Sequence, residues 1–350
     1  GDVFFTNGFG SPLTRFDLQT GTAEEVPLSL PEGGSSAKVS SIQSTDDQLL
    51  VLGSVLMADT EGEYIQSFWV LDNDRNIVFT ELQESIAYLG ALLELNDDSF
   101  VFRGESPWDS GIGSTIFRYS EAGVEQVSTT TDEHYVGADI SGVYVFRESA
   151  EGNHIRHLAW NSQLIGLWMS EQKPNKVLKS EADDVIVLRR GDLQRIAPDG
   201  SIVWSQEIDS SSLDSVDQYY IHFDLSEYSM AMVAPDGDIL VGMDKYKGRF
   251  HGYVNDKLWI RNQMTLVFER FDSDGNKVKT YQGEPYTRVM QPSVSCYRIV
   301  CGSYGDRVES EGACETFDVT VNDQNRLVVR HRYCAGIVHN FGHMVSVYDY

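Results

Sequence analysis

Helical periodicity is almost missing from this sequence. Glu84 to Leu95 (ESIAYLGALLEL) has helical spacing, but its place in the repeat described below makes it a strand. Basic residues are scarce as well. Lys and Arg total 27 against 53 Asp and Glu, a net charge of −26, which excludes generic nucleic-acid binding and suits a highly soluble protein. The apolar runs are too short to cross a bilayer, so no membrane span is expected. No positively charged start leads into an apolar stretch, so no signal peptide is read in these residues. Nucleophile-elbow (Gly-x-Ser-x-Gly), zinc-protease (His-Glu-x-x-His) and phosphate-cradling glycine motifs are missing too, so no spacing names a reaction. Cysteine is confined to the end of the chain, as Cys296, Cys301, Cys314 and Cys334.

What is there is a repeat of short strands. A hydrophobic fraction of 41% over 350 residues is enough for a substantial core. Met230 to Ala234 and Asp238 to Met243 alternate around Pro235-Asp236-Gly237, and Thr265 to Phe271 and Lys277 to Tyr281 do so around Asp272-Ser-Asp-Gly-Asn276. Two such hairpins make a four-stranded antiparallel meander of about 50 residues, the size of one propeller blade. The first kind of hairpin, a–b, recurs at 38–54, 91–105, 136–149, 177–191 and 318–332; the second, c–d, at 13–28, 67–82, 114–129, 156–170 and 192–208. They alternate without a break. A blade cannot bury both faces alone, so the units must stack around an axis.

The expected fold is therefore all-β: one domain over 1–350, a seven-bladed β-propeller. Its blades fall near 1–28, 38–82, 88–129, 135–170, 176–208, 229–282 and 316–350, with an insertion at 284–316. The opening GDVFFTNG matches a b strand and the closing MVSVYDY a c strand, so both terminal blades are incomplete within this chain. Open edges of that kind invite self-association through the terminal blades. The a–b and c–d turns are uniformly tight. The b–c and d–a connections, 54–66, 104–114, 209–229, 244–264, 284–316 and 333–343, are long and define the working face.

Phe16-Asp17-Leu-Gln-Thr-Gly21 and Asp199-Gly200-Ser-Ile-Val-Trp204 resemble the blade signature of quinoprotein-like (pyrroloquinoline-quinone-type) β-propellers: Asp, a Thr-Gly or Asp-Gly turn, and Trp four positions after the Gly. The resemblance covers essentially the whole chain. The fifth blade alone keeps the Trp, with Glu25 and Lys279 at the equivalent positions of blades one and six, and the family's enzymes are longer. No cofactor is expected here.

Asp272-Ser-Asp274-Gly-Asn276 has the alternating oxygens of a calcium loop but lacks the downstream bidentate carboxylate, and it reads as a plain turn, not a metal site. In the hairpin 318–332 the pairs Val321–Leu327 and Val319–Val329 keep a constant index sum that Cys314 and Cys334 share. That predicts an opposed pair within disulfide range, with Cys296–Cys301 as companion. Four thiols in a reducing compartment, or zinc, are the alternatives. Disulfides imply an extracellular, cell-surface or periplasmic location.

The most informative stretch is Asp244 to Tyr253, read as a loop in which basic and aromatic residues alternate: Lys245, Tyr246, Lys247, Arg249, His251 and Tyr253. Trp259, Arg298, Arg307, His339 and His343 lie on neighbouring loops of blades six and seven. Aromatic faces stack on sugars or apolar side chains, and Arg pairs with carboxylates or sulfates. These residues predict a binding and assembly module for an acidic protein or polysaccharide. The alternative is a polysaccharide lyase on the same face, with Arg249, His251 and Tyr253 neutralising the substrate carboxylate and moving its proton.

Overall fold

A computed structural model describes residues 2–5, 12–17, 20–44, 47–58, 63–72, 74–92, 99–107, 112–150, 152–180, 183–189, 192–208, 230–234, 236–254, 257–282, 286–290, 307–321, 326–337 and 341–349. The regular elements among these are all strands, and the chain divides into two compact units, Gly1–Glu171 and Gln172–Tyr350.

The first unit holds four antiparallel meanders. β1 (Asp2–Phe5), β2 (Thr14–Asp17) and β3 (Thr22–Glu25) form a three-stranded sheet. β4 (Gly34–Ser44), β5 (Gln48–Met57), β6 (Tyr64–Asp72) and β7 (Ile77–Gln83) form the next. β8 (Tyr88–Leu92), β9 (Phe100–Glu105), β10 (Ile112–Ser120) and β11 (Gly123–Thr130) make the third. The fourth is β12 (Glu133–Asp139), β13 (Gly142–Arg147), β14 (His154–Ala159) and β15 (Leu164–Met169). The last three are four-stranded blades of a β-propeller fold, and the first has three described strands. Within the segment of helical spacing, Glu84 to Leu95, Tyr88 to Leu92 form strand β8, and Leu89 packs with Leu50 and Phe102 in a core between sheets rather than on a helix face.

The middle strands are apolar on both faces, as strands buried on both sides must be. Leu50, Leu52, Phe68 and Val70 pack with Phe100, Phe102 and Phe117 in one core, while Val51, Trp69 and Leu71 pack with Leu13 and Val39 in another. The outer strands alternate instead, as on β11, where Val127 and Thr129 are buried between exposed neighbours.

One turn design repeats. The hairpins β6–β7 and β14–β15 close with a hydrogen bond from Asp72 N to the Asn76 carbonyl (3.0 Å) and from Ala159 N to the Gln163 carbonyl (2.8 Å). In the second unit, β16 (Lys176–Lys179), β17 (Val185–Arg189), β18 (Asp192–Ile196) and β19 (Ile202–Glu207) form a blade whose last turn bonds Ala197 N to the Ser201 carbonyl at 2.9 Å. The fourth residue of each turn has positive φ: Arg75 at 70°, Ser162 at 66° and Gly200 at 84°. Each outer strand then carries a bulge one residue in, at Val78, Ile165 and Val203. A type I turn followed by a left-handed residue matches the twist of the flanking strands, which is why the design recurs.

The rest of the second unit departs from simple repetition. β20 (Met230–Val233), β21 (Ile239–Val254), β22 (Lys257–Phe271) and β23 (Lys277–Gln282) form blade six. β24 (Tyr286–Met290), β25 (Arg307–Val321), β26 (Arg326–Ile337) and β27 (Phe341–Asp349) follow. All eight belong to one sheet, in the order β20-β21-β22-β24-β25-β26-β27 with β23 also on β22. Blades six and seven, separate in the sequence reading, are thus joined. Leu327 of β26 packs into the blade-six core with Ala234, Leu240, Phe268 and Tyr281.

Candidate functional site

The stretch 244–264 is not a loop. β21 and β22 pair from Ile239–Phe271 to Val254–Lys257, with one register shift between Tyr246 and Gly248. At about 3.3 Å per residue a strand of this length reaches roughly 50 Å, against about 17–20 Å for an ordinary one. The physical cause is visible in the sequence: Lys257, Trp259, Arg261 and Gln263 continue the period-two spacing of a strand with no Gly or Pro to stop it. Once β22 outruns its blade neighbour β23, its far end offers a free edge, and β24 takes it, pairing Ile260–Met264 with Tyr286–Met290. β24 then accepts β25, from within the segment 284–316 that was expected to be an insertion of loop.

Directly opposed residues in a sheet lie on one face, and neighbours along a strand alternate. The register therefore places Phe250, Arg261, Val289, Arg307 and Ile337 in one cross-strand row, and Arg249, Asn262, Arg288, Val308 and Gly336 in the next, on opposite faces. Arg261 and Arg307 are two strands apart, about 10 Å, as are Arg249 and Arg288. Tyr246, His251 and Tyr253, opposite Met264, Ile260 and Leu258, share the face of Arg249; Lys245, opposite Thr265, and Trp259, opposite Gly252, share that of Arg261. Lys247 sits at a register shift between Tyr246 and Gly248. Asp244 to Met264 with Tyr286 to Met290 hold Lys245, Lys247, Arg249, Lys257, Arg261 and Arg288 against only Asp244 and Asp256. Arg261 and Arg288 escaped the sequence reading; the alternation around Trp259 was the signal that carried the first.

His343 lies opposite Arg332, which lies opposite Glu315 on the other side. Arg298, His339, Cys296 and Cys301 fall outside the described residues. The constant index sum behind the Cys314–Cys334 pairing does not hold along the ladder. Shifts between Thr316 and Asp318 and between Ala313 and Glu315 place Gly312 opposite Cys334, with Cys314 at the second shift. Bulges insert residues into one strand, so sums drawn from the turn end cannot be extrapolated past them.

A second cluster, which sequence reasoning missed, lies in blade four. Asp139 accepts hydrogen bonds from Ser141 N (2.7 Å), Ser141 Oγ (2.5 Å), Gly142 N (3.0 Å) and Tyr144 Oη (2.8 Å), and His157 Nε2 is 3.3 Å away. The Tyr144 ring stacks on His157 at 4.1 Å, with Trp168 beside both. Burial opposes the Asp139 charge, yet the hydrogen bonds from His157, Ser141 and Tyr144 outweigh it and hold the carboxyl well below the usual carboxylate range. Burial, followed by the Asp139 charge, pushes the Tyr144 phenol far up. Ser, His and Asp are all present, but the Ser141 hydroxyl is given to Asp139 and stands 3.5 Å from His157 Nε2. A nucleophile needs its proton aimed at the base, so this is a buried turn latch.

The Asp272 carboxylate accepts from Asn276 N (2.7 Å), Asn276 Nδ2 (3.0 Å) and Asp274 N (3.1 Å), the bonds of a capped turn. Trp204, which completes the blade-five signature, donates from Nε1 to the Ser273 carbonyl in that turn and is engaged in packing between blades. Among the described residues no three His, Cys, Asp or Glu side chains are grouped to hold a metal, and no helix is long and apolar enough to cross a membrane.

No family model matches the sequence, and no curated protein does. Among solved structures, a streptogramin B lyase is similar over 99% of this chain and 90% of its own, with 11% identity and a TM-score of 0.42. A protein of unknown function from Bacteroides caccae is similar over 81% and 93%, with 12% identity and a TM-score of 0.38. A quinoprotein alcohol dehydrogenase-like protein from Bacteroides thetaiotaomicron is similar over 81% and 77%, with 13% identity and a TM-score of 0.25. The fold assignment rests on the sheets themselves, and these likenesses carry nothing about activity.

Proposed function

We propose that this chain is a binding module that recognises an acidic partner, protein or polysaccharide, through the extended arm of β21, β22 and β24. The observation that carries the reading is the register of that arm. It gathers Arg249 and Arg288 on one face and Arg261, with Arg307 of the adjoining β25, on the other, in a protein whose net charge is −26. Arg positions two strands, about 10 Å, apart in a sheet suit carboxylates or sulfates repeated along an extended chain. Aromatic neighbours at Tyr246 and Tyr253 add stacking surface.

Replacing Lys245, Lys247 and Arg249 together by Glu should abolish binding to an acidic polysaccharide such as polygalacturonate, most clearly at low ionic strength. The far-ultraviolet spectrum should stay unchanged. Binding equal to the parent in low salt would remove the arm from consideration. An extracellular, cell-surface or periplasmic location belongs to the same reading, and non-reducing peptide mapping of Cys296, Cys301, Cys314 and Cys334 tests it.

A further inference from the structure

β3, β7, β11, β15, β19 and β23 each end a described sheet. Five of them carry charge: Glu24 and Glu25, Glu81, Glu125, Glu207, and Lys277 with Lys279. A charge on an edge strand discourages the addition of another strand, because it would have to be desolvated or apposed. β15 is the exception. Its sequence Leu164-Ile-Gly-Leu-Trp-Met169 carries none, and the uncharged stretch runs from Leu158 to Ser170. Leu164, Ile165, Leu167 and Met169 are 47, 47, 48 and 52% exposed, although they are large and apolar. Beyond the bulge at Ile165, Gly166 to Met169 pair regularly with His157 to His154, and among the described residues no strand lies on the other side.

The surroundings say what kind of strand would add. The unit Gly1–Glu171 holds 7 Lys and Arg against 27 Asp and Glu. That field draws in a segment with basic flanks and repels a second copy of this chain, which brings the same charge. We propose that β15 receives an extended segment of a partner protein, apolar at alternate positions and basic at both flanks, as an added antiparallel or parallel strand. The backbone ladder supplies affinity, and Leu167 and Met169 supply contacts for the alternate side chains. The surface differs from the β21–β22 arm in residues and in the charge it seeks, so the two proposals stand or fall separately.

The probe is a fluorescent peptide, KKVTVTVTVKK, with its Glu-flanked counterpart, titrated against the full chain by anisotropy. The Lys-flanked peptide is expected to bind, and more weakly as salt is raised. Leu167→Lys and Met169→Lys, both at exposed positions, should each weaken it at least ten-fold while the melting temperature holds. Val203→Lys on β19 should leave it unchanged. The proposal is overturned if the parent does not bind, if Val203→Lys weakens binding as much, or if the Glu-flanked peptide binds equally. It is also overturned if the parent is a dimer that Leu167→Lys dissociates, since the strand would then belong to a second copy.

Discussion

The Trp204 indole donates to the Ser273 carbonyl at 3.0 Å, and its ring lies over Gly275 so closely that a Cβ there would stand 2.7 Å from Trp204 Cδ2. The tryptophan of one blade thus seats on the c–d turn of the next, and Arg195 Nη1 adds a bond to the same carbonyl at 3.3 Å. Gly275 also has φ of 83°. Gly275→Ala therefore meets both a crowded ring and an unfavourable backbone, and it should cost about 1–3 kcal/mol. Urea unfolding with an unchanged slope checks it, and Trp204→Phe should cost less, since it keeps most of the packing.

At the equivalent turn of blade four the left-handed position is held by Ser162. Ser162→Gly should raise stability by up to about 1 kcal/mol, because glycine adopts this conformation without the Cβ penalty. Arg75→Gly should gain less, since the Arg75–Glu24 ion pair (3.0 Å) goes with it. Paired thermal melts of the two variants measure the difference.

Asp139 gives the fold an acid limb. Its folded carboxyl titrates below the unfolded value of about 3.9, so its contribution is fully present above that value and is lost as pH falls through the folded one. Asp139→Asn should lower the melting temperature at pH 7 and flatten the decline below pH 4. A variant with the parent's acid profile would show that the Ser141 and Tyr144 bonds do not couple to folding.

Hydrogen exchange distinguishes the arm from a loop. Beyond Gly242, β21 has β22 as its one described partner, so alternate amides from Met243 to Val254 should exchange slowly. On β22, Ile260 to Met264 lie between β21 and β24, and protection there should be continuous. Uniformly fast exchange across both would return this region to a loop.

Local rules wrote much of the fold into the sequence. Turn residues such as Asp272 and Gly275, period-two spacing and doubly apolar middle strands identify the hairpins and the all-β blades, because each depends on interactions within a few residues. Three features belong to the tertiary structure alone. Which strand takes the free edge of β22 is not written beside it: Tyr286 to Met290 of β24 pair there with Ile260 to Met264. Bulges moved Cys334 from Cys314 to Gly312, because register is set by the sum of all pairings rather than by the turn. The Asp139 latch unites residues from three strands and a turn, none of which signals the others in sequence. Long-range strand pairing decides such features, and a linear pattern holds no term for the neighbour across the sheet.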